Sequence, residues 1–84
     1  MYYGIMFFID ENETLYRVCK LSSDKPIKEN VYENVKKEGD MMYVSRAVML
    51  PTENEVSYQE AEQMAVEWYG RFRENRIIEV LRGE

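Results

Sequence analysis

Eighty-four residues, sixteen acidic and eleven basic, carry a formal net charge of −5 with no histidine and one cysteine. That length holds a single domain, 1–84, with a thin core, and the acidic balance disfavours a protein that grips nucleic acid through its phosphates. Lack of histidine removes the commonest general base and transition-metal ligand, and one cysteine precludes an intrachain disulfide.

Tyr2–Ile9 is an apolar, aromatic-rich run of strand length. Turn formers Asp10 to Glu13 interrupt it, and residues 14–21 resume β character, so the spacing predicts a hairpin. With Glu11-Asn12 at the turn centre, Ile9 pairs with Thr14, Phe7 with Tyr16 and Ile5 with Val18. One face then carries Tyr3, Ile5, Phe7, Ile9, Tyr16 and Val18; the other carries Tyr2, Met6, Phe8, Leu15 and Arg17. Both faces of the first strand are apolar, which predicts a central position in its sheet.

Ser22 to Pro26 has helix-start chemistry. Ile27, Val31 and Val35 follow at i, i+4 and i+8, predicting a helix through Lys37 that Gly39 stops. Residues 41–50 read as a strand halted by Pro51, and 52–56 as an acidic loop. Ser57-Tyr58-Gln59-Glu60 is a capping box. Beyond it Ala61, Met64, Ala65, Trp68 and Phe72 fall within about 100° of arc at about 100° per residue. Ile77, Ile78, Val80 and Leu81 lie on the opposite side of that wheel. The periodicity therefore predicts a helix ending near Glu74 or Asn75, then a last short strand over 77–82, with a second helical piece as the alternative. The expected fold is α+β: a four-stranded, mostly antiparallel sheet with two helices, in the order ββαβαβ.

No phosphate loop, calcium loop or nucleophile–base pair stands out, so no catalytic, cofactor-binding or metal residues are assigned, and the chain is not expected to be an enzyme. Cys19, among apolar neighbours in a strand, reads as a packing residue. Tyr2–Ile9 is too short to span a membrane and lacks the basic start of a signal peptide, which points to a cytoplasmic protein with no membrane partner.

The most biased stretch lies between Arg46 and Arg71, which contains no Lys or Arg yet holds Glu53, Glu55, Glu60, Glu62 and Glu67. Part of it has a structural explanation. Acids at a helix start and Arg71 and Arg73 near its end both suit the helix dipole, and Glu67 with Arg71 is an i,i+4 pair. The remainder predicts an acidic strip roughly 20 Å long by helical rise, suited to a basic groove such as one that holds nucleic acid. Of the surplus tyrosines Tyr2, Tyr32, Tyr58 and Tyr69, the last two adjoin the strip. The expected contact residues are thus Glu53, Glu55, Tyr58, Glu60, Glu62, Glu67 and Tyr69.

The functional expectation is a small acidic protein-binding module, an inhibitor or adaptor whose partner is a larger basic protein, with no direct nucleic-acid contact. Small acidic domains of this kind are typical of phage and mobile-element proteins that block a host nuclease or polymerase; that step is analogy. The alternative is a subunit or regulator of a nucleic-acid complex, contacting RNA or DNA through Arg71, Arg73, Arg76 and Arg17. If Phe8 and Leu15 lack helix cover, a homodimer completes the sheet.

Overall fold

The chain was described from a computed structural model whose backbone is placed for residues 1–81 and whose side chains are placed through residue 74. Four strands, β1 (Tyr2–Ile9), β2 (Leu15–Ser23), β3 (Asn30–Glu38) and β4 (Met41–Thr52), precede one helix, α1 (Tyr58–Leu81). They form one antiparallel sheet in the order β2-β1-β4-β3. The four-stranded antiparallel sheet and the α+β class are therefore present, with β1 inside the sheet. The expected second helix and the order ββαβαβ are not: the order is ββββα.

Two local corrections account for that difference, and a third concerns strand register. The segment expected to be a helix over 26–37 forms β3 instead. Val31 and Val35 stand four apart, and four is a multiple of the strand period of two as well as close to one helical turn. Asn30, Tyr32 and Asn34 are poor helix formers, and the β alternative wins. Gly39 is then a hairpin residue rather than a helix stop. Glu38 pairs with Met41 across Gly39-Asp40, and Gly39 has φ of 60°. A glycine with positive φ at the first of two turn positions matches the type II′ turn that suits the twist of paired strands.

The second correction is the end of the chain, where 77–81 continue α1 rather than forming a strand. Arg82 lies outside the described residues. The apolar stripe changes side after Phe72, but no Pro or Gly lies between Arg71 and Leu81 to break the backbone ladder. Sidedness is a property of side chains; helix continuity is a property of the backbone.

The third is the register of β1 against β2. Phe7 pairs with Val18, not Tyr16, and Ile9 pairs with Leu15. One residue of slip arises at the turn. There the Asp10 carboxylate accepts from the N–H groups of Asn12 (3.0 Å) and Thr14 (2.9 Å), and Glu13 takes a left-handed φ of 62°. The three-residue loop 11–13 is thereby preferred to a two-residue one. The other residue of slip is an irregularity between Phe8 and Ile9, which leaves Tyr16 without a partner on β1. Such a bulge turns side chains to new faces. Leu15 consequently packs beside the core, and Tyr16 is exposed.

The core follows from the pairing. Ile5, Phe7 and Ile9 of β1 and Val48 and Leu50 of β4 project to one face and meet Ala61 and Ala65 of α1. The two alanines let the helix backbone approach the sheet. Trp68 sets its ring edge-on to Phe7 at 5.4 Å and stacks on Phe72 at 5.2 Å. These are favourable aromatic geometries.

The helix covers only part of one face. All nine residues of β3 are exposed. Pairing of β1 with β4 stops at Ile9 and Arg46, so residues 34–45 run on as a two-stranded ribbon. The radius of gyration, 14.6 Å, exceeds the roughly 12 Å expected of a compact chain this long. On the opposite face, residues 24–29 carry the chain from one sheet edge to the other. Ile27 there fills the space that a Cβ on Gly4 would need, 3.2 Å from that position. Pro51 is tolerated within β4 because β3 begins opposite Met49, leaving β4 without that neighbour at Pro51.

Candidate functional site

The acidic segment begins in the loop after β4 and continues over the first turns of α1. The capping box forms as its sequence demands. The Glu60 N–H donates to Ser57 Oγ (3.1 Å), and the Ser57 N–H lies 3.5 Å from Glu60 Oε1. Glu60 is thereby committed to holding the helix start, where its charge also meets the positive end of the dipole.

Glu53, Glu55, Glu60, Glu62 and Glu67 are all exposed, but they do not form one line. Glu55 reaches Lys20 of β2 at 3.9 Å, and Glu62 borders the groove lined by Leu15, Tyr16, Arg17 and Val18. Both lie on the β2 side of the helix. Glu67 lies on the other side, paired to Arg71 at 3.7 Å and bordering an open groove with Glu29, Leu50 and Trp68. Five residues of helix rotate the chain by about 500°, so Glu62 and Glu67 diverge by about 140° around the axis. No ion pair is formed by Glu53 or Glu62 among the described residues.

Tyr58 and Tyr69 differ in accessibility. Tyr58 is 57% exposed at the helix start. Tyr69 is half-buried beside the core, and its hydroxyl donates to the backbone carbonyl of Glu13. Tyr69 thus ties α1 to the first hairpin. The residue that sequence reading passed over is Val66, 60% exposed. Tyr58, Glu62 and Val66 stand at i, i+4 and i+8, which puts them along one exposed row of the helix. The signal was available: Val66 falls outside the apolar arc of Ala61, Met64, Ala65, Trp68 and Phe72.

The basic cluster is partly engaged within the chain. Arg71 is drawn to Glu67, and Arg73 lies over the Tyr69 ring at 5.9 Å. The side chains of Arg76 and Arg82 lie outside the described residues. Arg17 is on the opposite sheet face, over Phe8 at 5.9 Å. Arg46, read as the boundary of the acidic stretch, packs over the Phe72 ring at 5.3 Å and pairs with Glu33 at 3.4 Å.

Among the described residues no group of three or more His, Cys, Asp or Glu is placed to hold a metal ion. Among the described residues no helix is long and apolar enough to cross a membrane. The architecture defines an α+β chain with one helix on an antiparallel sheet. No protein-family model, curated protein or solved structure matches it significantly.

Proposed function

We propose that this chain is a small acidic protein-binding module, an inhibitor or adaptor that acts by docking on a larger basic protein rather than by catalysis. The observation that carries this reading is the exposed row Tyr58, Glu62 and Val66 beside the acidic loop of Glu53 and Glu55. Two apolar side chains flank a carboxylate that has no ion pair of its own among the described residues. Contact area and charge are thereby presented together, the combination by which interfaces gain both affinity and selectivity. A basic groove of the kind that normally holds nucleic acid suits this surface.

The test begins with affinity capture from the native host and identification of the bound protein, followed by titration of the purified pair. Reversing Glu55 and Glu62 to Lys is expected to weaken binding at least about tenfold, equivalent to about 1.4 kcal/mol. Unchanged affinity in that double variant removes the helix-side surface from consideration. The competing reading, direct RNA or DNA contact through Arg71, Arg73, Arg76 and Arg17, has less support. Arg71 and Arg73 already have partners in the chain, and Arg17 points to the other face. A gel shift abolished by Arg71→Ala with Arg73→Ala favours that competitor instead.

A further inference from the structure

We propose that the outer edge of β3 pairs antiparallel with the same edge of a second copy, joining the two four-stranded sheets into one. β3 is an end strand, and among the described residues no strand pairs with its outer side. Alternate residues of an antiparallel strand turn their N–H and C=O groups away from its neighbour, so this edge is an open template for another strand. Nothing in β3 blunts it by shape. It contains no proline, it pairs with β4 without a register shift, and all nine of its residues are exposed. The other end strand, β2, is irregular opposite Phe8 and Ile9.

Charge then selects the occupant and the register. Val31, Glu33, Val35 and Lys37 share the helix side of the sheet, in rows with Val48, Arg46, Val44 and Met42 of β4. Lys37 forms no ion pair among the described residues. Glu33, although 3.4 Å from Arg46, keeps more than half of its side chain exposed. A two-fold axis perpendicular to the sheet at Val35 sets Val35 against Val35 and, twice, Glu33 against Lys37, the self-complementarity an isologous contact requires. Each Glu33 then stands between Arg46 of its own chain and Lys37 of the second copy. On the other side of the sheet Asn34 meets Lys36, and Tyr32 meets Glu38. Axes at Glu33, Lys36, Lys37 or Glu38 oppose a charge to itself, which destabilises a cross-strand pair. An axis at Asn34 sets Glu33 and Lys37 against valines, and axes nearer the start of β3 shorten the ladder. A foreign strand must supply both charges at the right spacing, whereas a second copy does so by symmetry. β2 does not match itself in this way, because its charged residues, Arg17 and Lys20, are both cations.

The rest of each chain stays clear of the contact. Antiparallel edges place the turn at Gly39 and Asp40 of each copy beside the start of β3 in the other, with the bodies of the two sheets at opposite ends. The connection that sets Ile27 over Gly4 runs over its own sheet, away from this edge. Eight residues of β4 separate Val44, level with the axis, from Thr52, about 26 Å at strand rise. The acidic loops that follow Thr52 thus stand about 50 Å apart, several Debye lengths of about 8 Å at physiological salt.

This edge is separate from the helix-side docking surface, and the experiment distinguishes the two. Sedimentation equilibrium of the full chain, at concentrations up to about 100 micromolar as suits a small interface, is expected to give twice the chain mass. Glu33→Lys and Lys37→Glu each oppose like charges twice across the ladder. Each is expected to give the monomer mass with unchanged far-UV circular dichroism. An equimolar mixture of the two variants is expected to regain the dimer mass, because the introduced lysine meets the introduced glutamate and the native Lys37 meets the native Glu33. A variant that had merely lost its fold is not rescued in that way. Glu55→Lys with Glu62→Lys is expected to stay dimeric. A monomeric wild-type chain, single variants that remain dimeric, or a mixture that remains monomeric overturns the proposal.

Discussion

Tyr69 joins the two parts of the molecule that are most distant in sequence, the first hairpin and the middle of α1. Its hydroxyl donates to the carbonyl of Glu13, the one non-glycine residue with positive φ among the described residues. A left-handed conformation costs such a residue about 1–2 kcal/mol, and a tertiary hydrogen bond at that point offsets part of it. Tyr69→Phe keeps the ring beside the core and removes only the donor. It is expected to destabilise the chain by about 1 kcal/mol, read as a lower urea midpoint with an unchanged slope. Phe7 sets the other end of the scale. It is fully buried and contacts Trp68 edge-on. Phe7→Ala leaves a cavity that a thin core cannot close, and a loss of about 3–5 kcal/mol is expected in the same assay.

Among the elements, the β3–β4 hairpin depends most on one residue. Gly39 occupies the first turn position with φ of 60°, and nothing lies within 4 Å of where its Cβ would be. Gly39→Val therefore tests backbone conformation without a steric collision. A β-branched residue there is expected to cost at least about 1–2 kcal/mol, with the loss of amide protection in hydrogen exchange concentrated in 30–45. At the helix start, Ser57→Ala removes the acceptor of the Glu60 N–H and is expected to cost about 1 kcal/mol in chemical denaturation.

These two sites also mark what the sequence made legible. The capping box could be read because its hydrogen bonds are local and its four residues specify them. The strands β1, β2 and β4 could be read because their apolar runs leave no competing period. β3 could not, because Val31 and Val35 fit either period and the choice was made by β4, which offers partners from Met41 to Met49. Read as a turn, Gly39-Asp40 between two strand-length segments would have signalled the hairpin. Missing β3 also hid the helix-free face, since Tyr32 and Asn30 take their places on it only once β3 is paired. The acidic residues of the candidate site were evident from composition. Their division between two flanks of α1 was not, because it depends on which side of the helix meets the sheet.

At the scale of the whole molecule, charge and apolar surface are segregated. The acidic loop and the first turns of α1 stand on one side of the sheet, and the rows of Met6, Phe8, Ala47 and Met49, which hold no carboxylate, on the other. Docking of the acidic side on a basic protein gains from long-range attraction, which ions screen. Raising ionic strength from low to high is therefore expected to weaken the partner complex, measured by fluorescence titration of the complex in matched buffers. A partner complex indifferent to salt would mean that Tyr58 and Val66 carry the contact and the glutamates serve the helix alone.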